Sequence, residues 1–132
     1  MFNKFTFLTN IVIAFLFISH SIFAQNISFT EHLVDNQFDG PAGLYVKDVD
    51  KNGFNDIIAA GIDADEICVW LHNGDNPVTW TKEIVDENFL GAIYVYAKDV
   101  DGDSLIDLVG AGWYGHEVAW WKNLGGSKPI QW

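Results

Sequence analysis

The stretch KDVDKNGFNDIIAAG, residues 47–61, decides how this chain is read, because it returns as KDVDGDSLIDLVGAG at residues 98–112. Each copy sets acidic or amide side chains at alternate positions and then passes into a short apolar run. Counted from Asp48, positions 1, 3, 5 and 9 are Asp48, Asp50, Asn52 and Asp56. Position 7 is Phe54, which offers only its backbone carbonyl. The second copy places Asp99, Asp101, Asp103 and Asp107 at the same positions, with Leu105 at position 7. Alternate side chains on a tightly curled loop converge on one point. A set of hard oxygens, several of them anionic, suits Ca2+, which takes about 6–8 oxygen ligands; Mg2+ prefers fewer protein ligands in strict octahedral geometry. No Cys or His falls within either loop, which argues against zinc. The bland alternative is an acidic turn without metal, since Asp, Asn and Gly are ordinary turn residues. Carboxylates crowded this closely repel one another unless a cation neutralises them, so the pattern predicts about one Ca2+ per copy, with folding coupled to the metal.

The loops begin like EF-hands and end differently. An EF-hand needs a bidentate Glu at its last position, about the twelfth. Ala59 and Gly110 stand there instead. The acid at position 9 is therefore the expected closing ligand.

A shift of 51 residues lays 29–74 over 80–125 without a gap. About a third of the positions are identical, and many others exchange like for like, which marks an internal repeat. Each copy reads as four short strands. FTEHLV and WTKEIV alternate. GLYVKDV and AIYVYAKDV are β-branched and aromatic. DIIAAG and DLVGAG are continuous apolar runs, as for strands buried on both faces. EICVWLHN and EVAWWKNL alternate again. Gly, Asn, Asp and Pro punctuate between them. Four strands in roughly 40–50 residues is the period of a propeller blade. A β-sandwich has similar strand spacing but does not require a repeating sequence. The expected fold is thus all-β, with β-propeller blades of four antiparallel strands. NPVTW precedes the second copy and KPIQW ends at Trp132, so a third copy is expected to start there. Two blades cannot close a ring of about 4–8, which predicts a segment of a larger propeller with further blades beyond Trp132. FTEHLV is then the outer strand of the last blade, because strand order in propellers is often circularly shifted.

With the repeat and the loops in hand, DVDKNGFNDIIAAG and DVDGDSLIDLVGAG resemble the FG-GAP or VCBS-type repeat of secreted bacterial proteins and integrin α-chains. The later EVAWWKN also looks like the bacterial form. The resemblance spans nearly the whole chain after residue 24. It implies a β-propeller with Ca2+ in a hairpin loop of each blade, held by the ten loop residues named above. The chain departs from that pattern in two places. Position 6 is Gly53 in one loop and Ser104 in the other, and FDGPAG and FLGAIY stand where the literal FG-GAP string belongs.

The rest of the chain sets limits. Residues 1–24 carry an early Lys4, an apolar run and then small residues, the layout of a secretory signal peptide. The expected location is therefore extracellular or at the cell surface, with no membrane span afterwards. Formal net charge is -11 with no basic patch, which excludes nucleic acid as a natural partner. A single cysteine, Cys68, rules out an internal disulfide. It sits in an apolar run and is expected to be buried. Trp70, Trp120 and Trp121 are expected in the core or between blades. No Ser-His-Asp or Cys-His set stands out, so the chain gives no catalytic residue. The loops GIDADEI and GWYGHEV differ between the copies, and variable loops on a repeated scaffold are where binding concentrates. Asp63, Asp65, Trp113, Tyr114 and His116 are the ligand-binding candidates, for an extracellular protein or glycan. Two other readings remain open at this point. The chain is the N-terminal part of a polysaccharide-acting enzyme, or a metal-stiffened structural spacer.

Overall fold

The structure is a computed structural model, and it describes residues 26–126 and 128–132. The expected signal peptide lies outside the described residues. Seven strands follow one another: β1 (Pro41–Lys47), β2 (Asp56–Gly61), β3 (Glu66–His72), β4 (Trp80–Asp86), β5 (Ala92–Lys98), β6 (Asp107–Gly112) and β7 (Glu117–Trp121). They form two antiparallel meanders, a four-stranded sheet β1-β2-β3-β4 and a three-stranded sheet β5-β6-β7. Among the described residues there is no helix, and none long and apolar enough to cross a membrane. β5, β6 and β7 start 51 residues after β1, β2 and β3, at 92 against 41, 107 against 56 and 117 against 66.

WTKEIV forms β4 and pairs with β3, with His72 opposite Trp80. The strand that opens the second copy in sequence thus completes the sheet of the first. FTEHLV, expected as its counterpart strand, has no strand structure. It has no β3-like neighbour to pair with among the described residues, and an alternating segment cannot hold a strand without one. In the second sheet no fourth strand pairs with β7 among the described residues; past its end stands an isolated bridge between Gly125 and Gln131.

β2 is buried along nearly its whole length, as its continuous apolar run predicts. Ile58 and Ala60 point into the main core between the sheets, with Ile67, Val69 and Leu71 of β3 beside them. Ala59, with Cys68 and Trp70, points the other way into a smaller cluster capped by Val34 and Phe38. The second sheet contributes Val95, Ala97 and Leu108 to the main core, with Phe89 and Trp121. Each fully buried aliphatic side chain of this kind contributes about 1.5–3 kcal/mol. The sheets meet where Gly43 of β1 lies against β5. A Cβ there would stand 2.7 Å from the Ile93 carbonyl oxygen and 2.8 Å from Tyr94 Cα. Only glycine permits that approach.

Candidate metal centres

The two acidic loops join β1 to β2 and β5 to β6. Their turns rest on backbone conformations that the sequence hides. Lys51 and Gly53 have φ of 60° and 90°, while Gly102 and Ser104 have 83° and 74°. Positions 4 and 6 are therefore left-handed in both loops. Each loop places its one glycine at a different one of them, and Ser104 adopts the turn that Gly53 adopts.

The loop carboxylates gather as the alternation predicts, in part. Asp48, Asp50 and Asp56 each offer an oxygen within 4.8 Å of the others, and so do Asp99, Asp101 and Asp107. Asp48 accepts from the amides of Asn52 (3.2 Å) and Gly53 (3.0 Å). Asp99 does the same for Gly102 (2.7 Å) and Ser104 (2.9 Å). Position 5 behaves differently. Asn52 Oδ1 accepts from the Phe54 amide at 2.8 Å, and its Nδ2 donates to Asp50 Oδ2 at 3.1 Å and to the His72 carbonyl at 2.8 Å. Asp103 accepts from the Leu105 amide at 2.8 Å and stands outside its triad. At position 7 the Phe54 ring stacks on His72, with centroids 4.8 Å apart.

Asp56 and Asp107 are wholly buried and do more than close a cage. Asp56 takes the Val49 amide on Oδ2 at 2.8 Å and the His72 amide on Oδ1 at 2.9 Å. Asp107 takes Val100 at 2.9 Å and Asn123 at 2.8 Å in the same way. One carboxylate thus ties the loop to the ends of two neighbouring strands. Each oxygen keeps a second lone pair with which it could meet a cation. Burial pushes the Asp56 carboxyl up; the Val49 and His72 amides oppose this, and the charges of Asp50 and Asp48 add to it. A cation at the triad would favour the ionised form.

Lys122 is the residue that the sequence reading missed. Its ammonium contacts Asp101 Oδ2 and lies 3.1 Å from Asp103 Oδ2. Those partners, Asp101 foremost, raise the Lys122 pKa. The Leu105 amide, and then Lys122, hold Asp103 below the usual carboxylate range. The second loop carries its own cation beside the triad, and the first loop has Leu71 at the matching place. Asn123 was missed as well. It is buried, and its Nδ2 donates to the carbonyls of Ile106 (3.0 Å) and Val49 (3.3 Å), which links the second loop to the first. A Lys-Asn pair closing the EVAWW run carries no sequence signal of either contact.

The ligand-binding candidates lie on the β2–β3 and β6–β7 turns, at the ends of the sheets away from the acidic loops. Asp65 Oδ1 accepts from the Gly91 amide at 2.6 Å, so it joins the two sheets. Asp63 packs over Gly40 and Tyr114 over Gly91, where any Cβ would collide with them. His116 matches Asp65 in its left-handed φ, 50° against 56°. Trp113 donates its amide to the Gly91 carbonyl and leaves its ring exposed. Cys68 is buried, and burial, helped by Glu66, pushes its thiol up to about 12. Trp70 is buried and Trp121 packs on the core, whereas Trp120 is exposed. Comparison with protein-family models, with curated proteins and with solved structures finds no match for this chain.

Proposed function

We propose that this chain is a secreted, calcium-binding segment of a β-propeller that acts in extracellular binding or adhesion, with a protein or a glycan as ligand. The observation that carries the reading is the same three-carboxylate cluster, anchored by the same doubly bonded buried Asp, at the same end of both sheets. Ca2+ is the favoured ion because the donors are all oxygens and the loop has carbonyls at hand to fill a large shell. Further four-stranded sheets of the same kind would complete the ring. The ligand would meet the opposite end, where the exposed Trp113 ring and the unlike turns lie.

Calorimetric titration with Ca2+ and Mg2+ tests the metal. Ca2+ is expected to bind at two sites with Kd of about 10⁻⁴ to 10⁻³ M, and more tightly than Mg2+. Absence of Ca2+ binding at millimolar concentration would reject it. Glycan and protein arrays test the role. A binder retains a ligand unchanged, an enzyme releases product from a polysaccharide, and a spacer does neither.

A further inference from the structure

The first acidic loop is not held by its own sheet alone. Val49 lies between two of the loop carboxylates, Asp48 and Asp50, and both of its backbone polar groups are engaged. Its amide donates to Asp56 Oδ2 at 2.8 Å, within the first sheet. Its carbonyl accepts from Asn123 Nδ2 at 3.3 Å, from just past β7 of the second sheet and 74 residues onward. Its side chain is 1% exposed and belongs to the core that the two sheets share, together with Ala97 and Leu108.

Asn123 has little freedom to release that carbonyl. It is 1% exposed. Its Oδ1 accepts from the Gly125 amide at 2.8 Å, which leaves Nδ2 facing the carbonyls of Ile106 at 3.0 Å and Val49 at 3.3 Å. The flipped amide would set an oxygen against two carbonyls and an NH2 against an N–H, so the surroundings fix its orientation. Its backbone amide donates to Asp107 Oδ1 at 2.8 Å. A path of hydrogen bonds therefore runs from Asp56 through Val49 and Asn123 to Asp107, joining the buried carboxylates of the two triads. Breaking its middle contact would leave a buried N–H and a buried carbonyl without a partner, which costs more than losing a bond at the surface.

We infer that Asn123 is a positioning residue for the first acidic loop. By holding the Val49 carbonyl it sets how Asp48 and Asp50 stand, and so it ties Ca2+ binding in that loop to the grip between the two sheets. It acts through Val49 and not on the ion. An ion that draws Asp48 and Asp50 together bears on the residue between them, and whatever fixes Val49 tightens its bond across the junction. Linkage makes the effect reciprocal: if Asn123 strengthens the binding of the ion, the ion strengthens the hold on Asn123. The inference rests on the calcium reading of the loops. It adds that an ion in the first loop fastens one sheet to the next as well as closing a hairpin.

Calorimetric titration of an Asp101→Asn protein with Ca2+ tests this, because silencing the second loop lets the first be read by itself. Asn123→Ala in that background is expected to weaken Ca2+ at the first loop by about three- to tenfold, the worth of one hydrogen bond. Ile67→Val is the control. It loosens the same core from the end of β3 away from the acidic loops, and it should leave the affinity unchanged. A second measurement needs no substitution at Asn123 and decides the matter if Asn123→Ala does not fold. In the Asp101→Asn protein, Ca2+ is expected to slow the exchange of the Asn123 side-chain amide protons with solvent, read by NMR. If the Asp101→Asn protein binds no Ca2+, the calcium reading of the first loop falls and this inference falls with it. If Ca2+ binds with an affinity indifferent to Asn123→Ala, or weakened as much by Ile67→Val, the inference alone is overturned. Binding that leaves the Asn123 exchange unchanged overturns it as well.

Discussion

Asp50→Asn should change the sign of its effect with the metal. The oxygens of Asp48, Asp50 and Asp56 lie within 4.8 Å of one another. In water, unit charges that far apart repel by about 0.9 kcal/mol per pair, less in salt, and Asp50 takes part in two pairs. Removing its charge therefore relieves up to about 1.7 kcal/mol. Against this, the 3.1 Å bond from Asn52 Nδ2 is weakened, at a cost of about 0.5–1.5 kcal/mol. In chelator, then, the variant should be as stable as the wild type or slightly more so. With roughly 10 mM Ca2+ and a Kd of about 10⁻⁴ to 10⁻³ M, an intact site adds about 1.4–2.7 kcal/mol. Losing one of three carboxylates forfeits most of that. Scanning calorimetry reads the crossing directly, at about 4–8 °C per kcal/mol for a domain of this size. The Asp50→Asn variant should melt level with or above the wild type in chelator, and several degrees below it in Ca2+. Equal destabilisation under both conditions would refute the reasoning and leave the loop as a turn capped by carboxylates.

Two further outcomes follow from the same geometry. Lys122→Met should tighten Ca2+ at the second loop by about tenfold, because it removes a unit charge from beside the ion and frees Asp101 and Asp103. Calorimetric titration in which the second-loop affinity is unchanged or weaker would count against a metal at that triad. Asp35 is held below 3.8, first by the Gln37 amide, with Trp70 and Lys82 adding to this and burial opposing it. Its contribution to stability is therefore present above the unfolded value near 3.8 and is lost as pH falls through the lower folded value. Asp35→Asn should cost about 1 kcal/mol at neutral pH and flatten the acid limb of a Tm-against-pH curve; parallel curves would contradict the shift.

How much of this was legible in the sequence depends on whether an interaction follows a period. The strands of the apolar runs were readable because burial on both faces writes an unbroken hydrophobic string. DIIAAG and DLVGAG became β2 and β6 with the same boundaries in each copy. The clustering of positions 1, 3 and 9 was readable from spacing. What differed was the strand state of FTEHLV. It alternates like WTKEIV and is expected to pair in the last blade, but among the described residues only WTKEIV has a β3 beside it, and alternation alone does not hold a strand. Position 5 also escaped. Asn52 turns to its own loop and the His72 carbonyl, and Asp103 turns to Lys122, both partners lying about twenty residues onward in sequence. Trp120 and Trp121 looked equivalent, but adjacent strand residues face opposite sides, and only the Trp121 side is covered.

The doubly bonded Asp56 has a consequence for the order of events in assembly. Its two oxygens hold Val49 at the exit of β1 and His72 at the end of β3, while its own backbone begins β2. One side chain therefore links three strand ends through bonds that need no ion. An ion that enters afterwards meets a loop already fixed and loses little of its binding free energy to ordering it. On this view the carboxylate acts as the keystone of each sheet's end and the cation as a late reinforcement. If the proposed calcium reading holds, strand pairing is expected to be complete in a calcium-poor solution and stability to rise in a calcium-rich one.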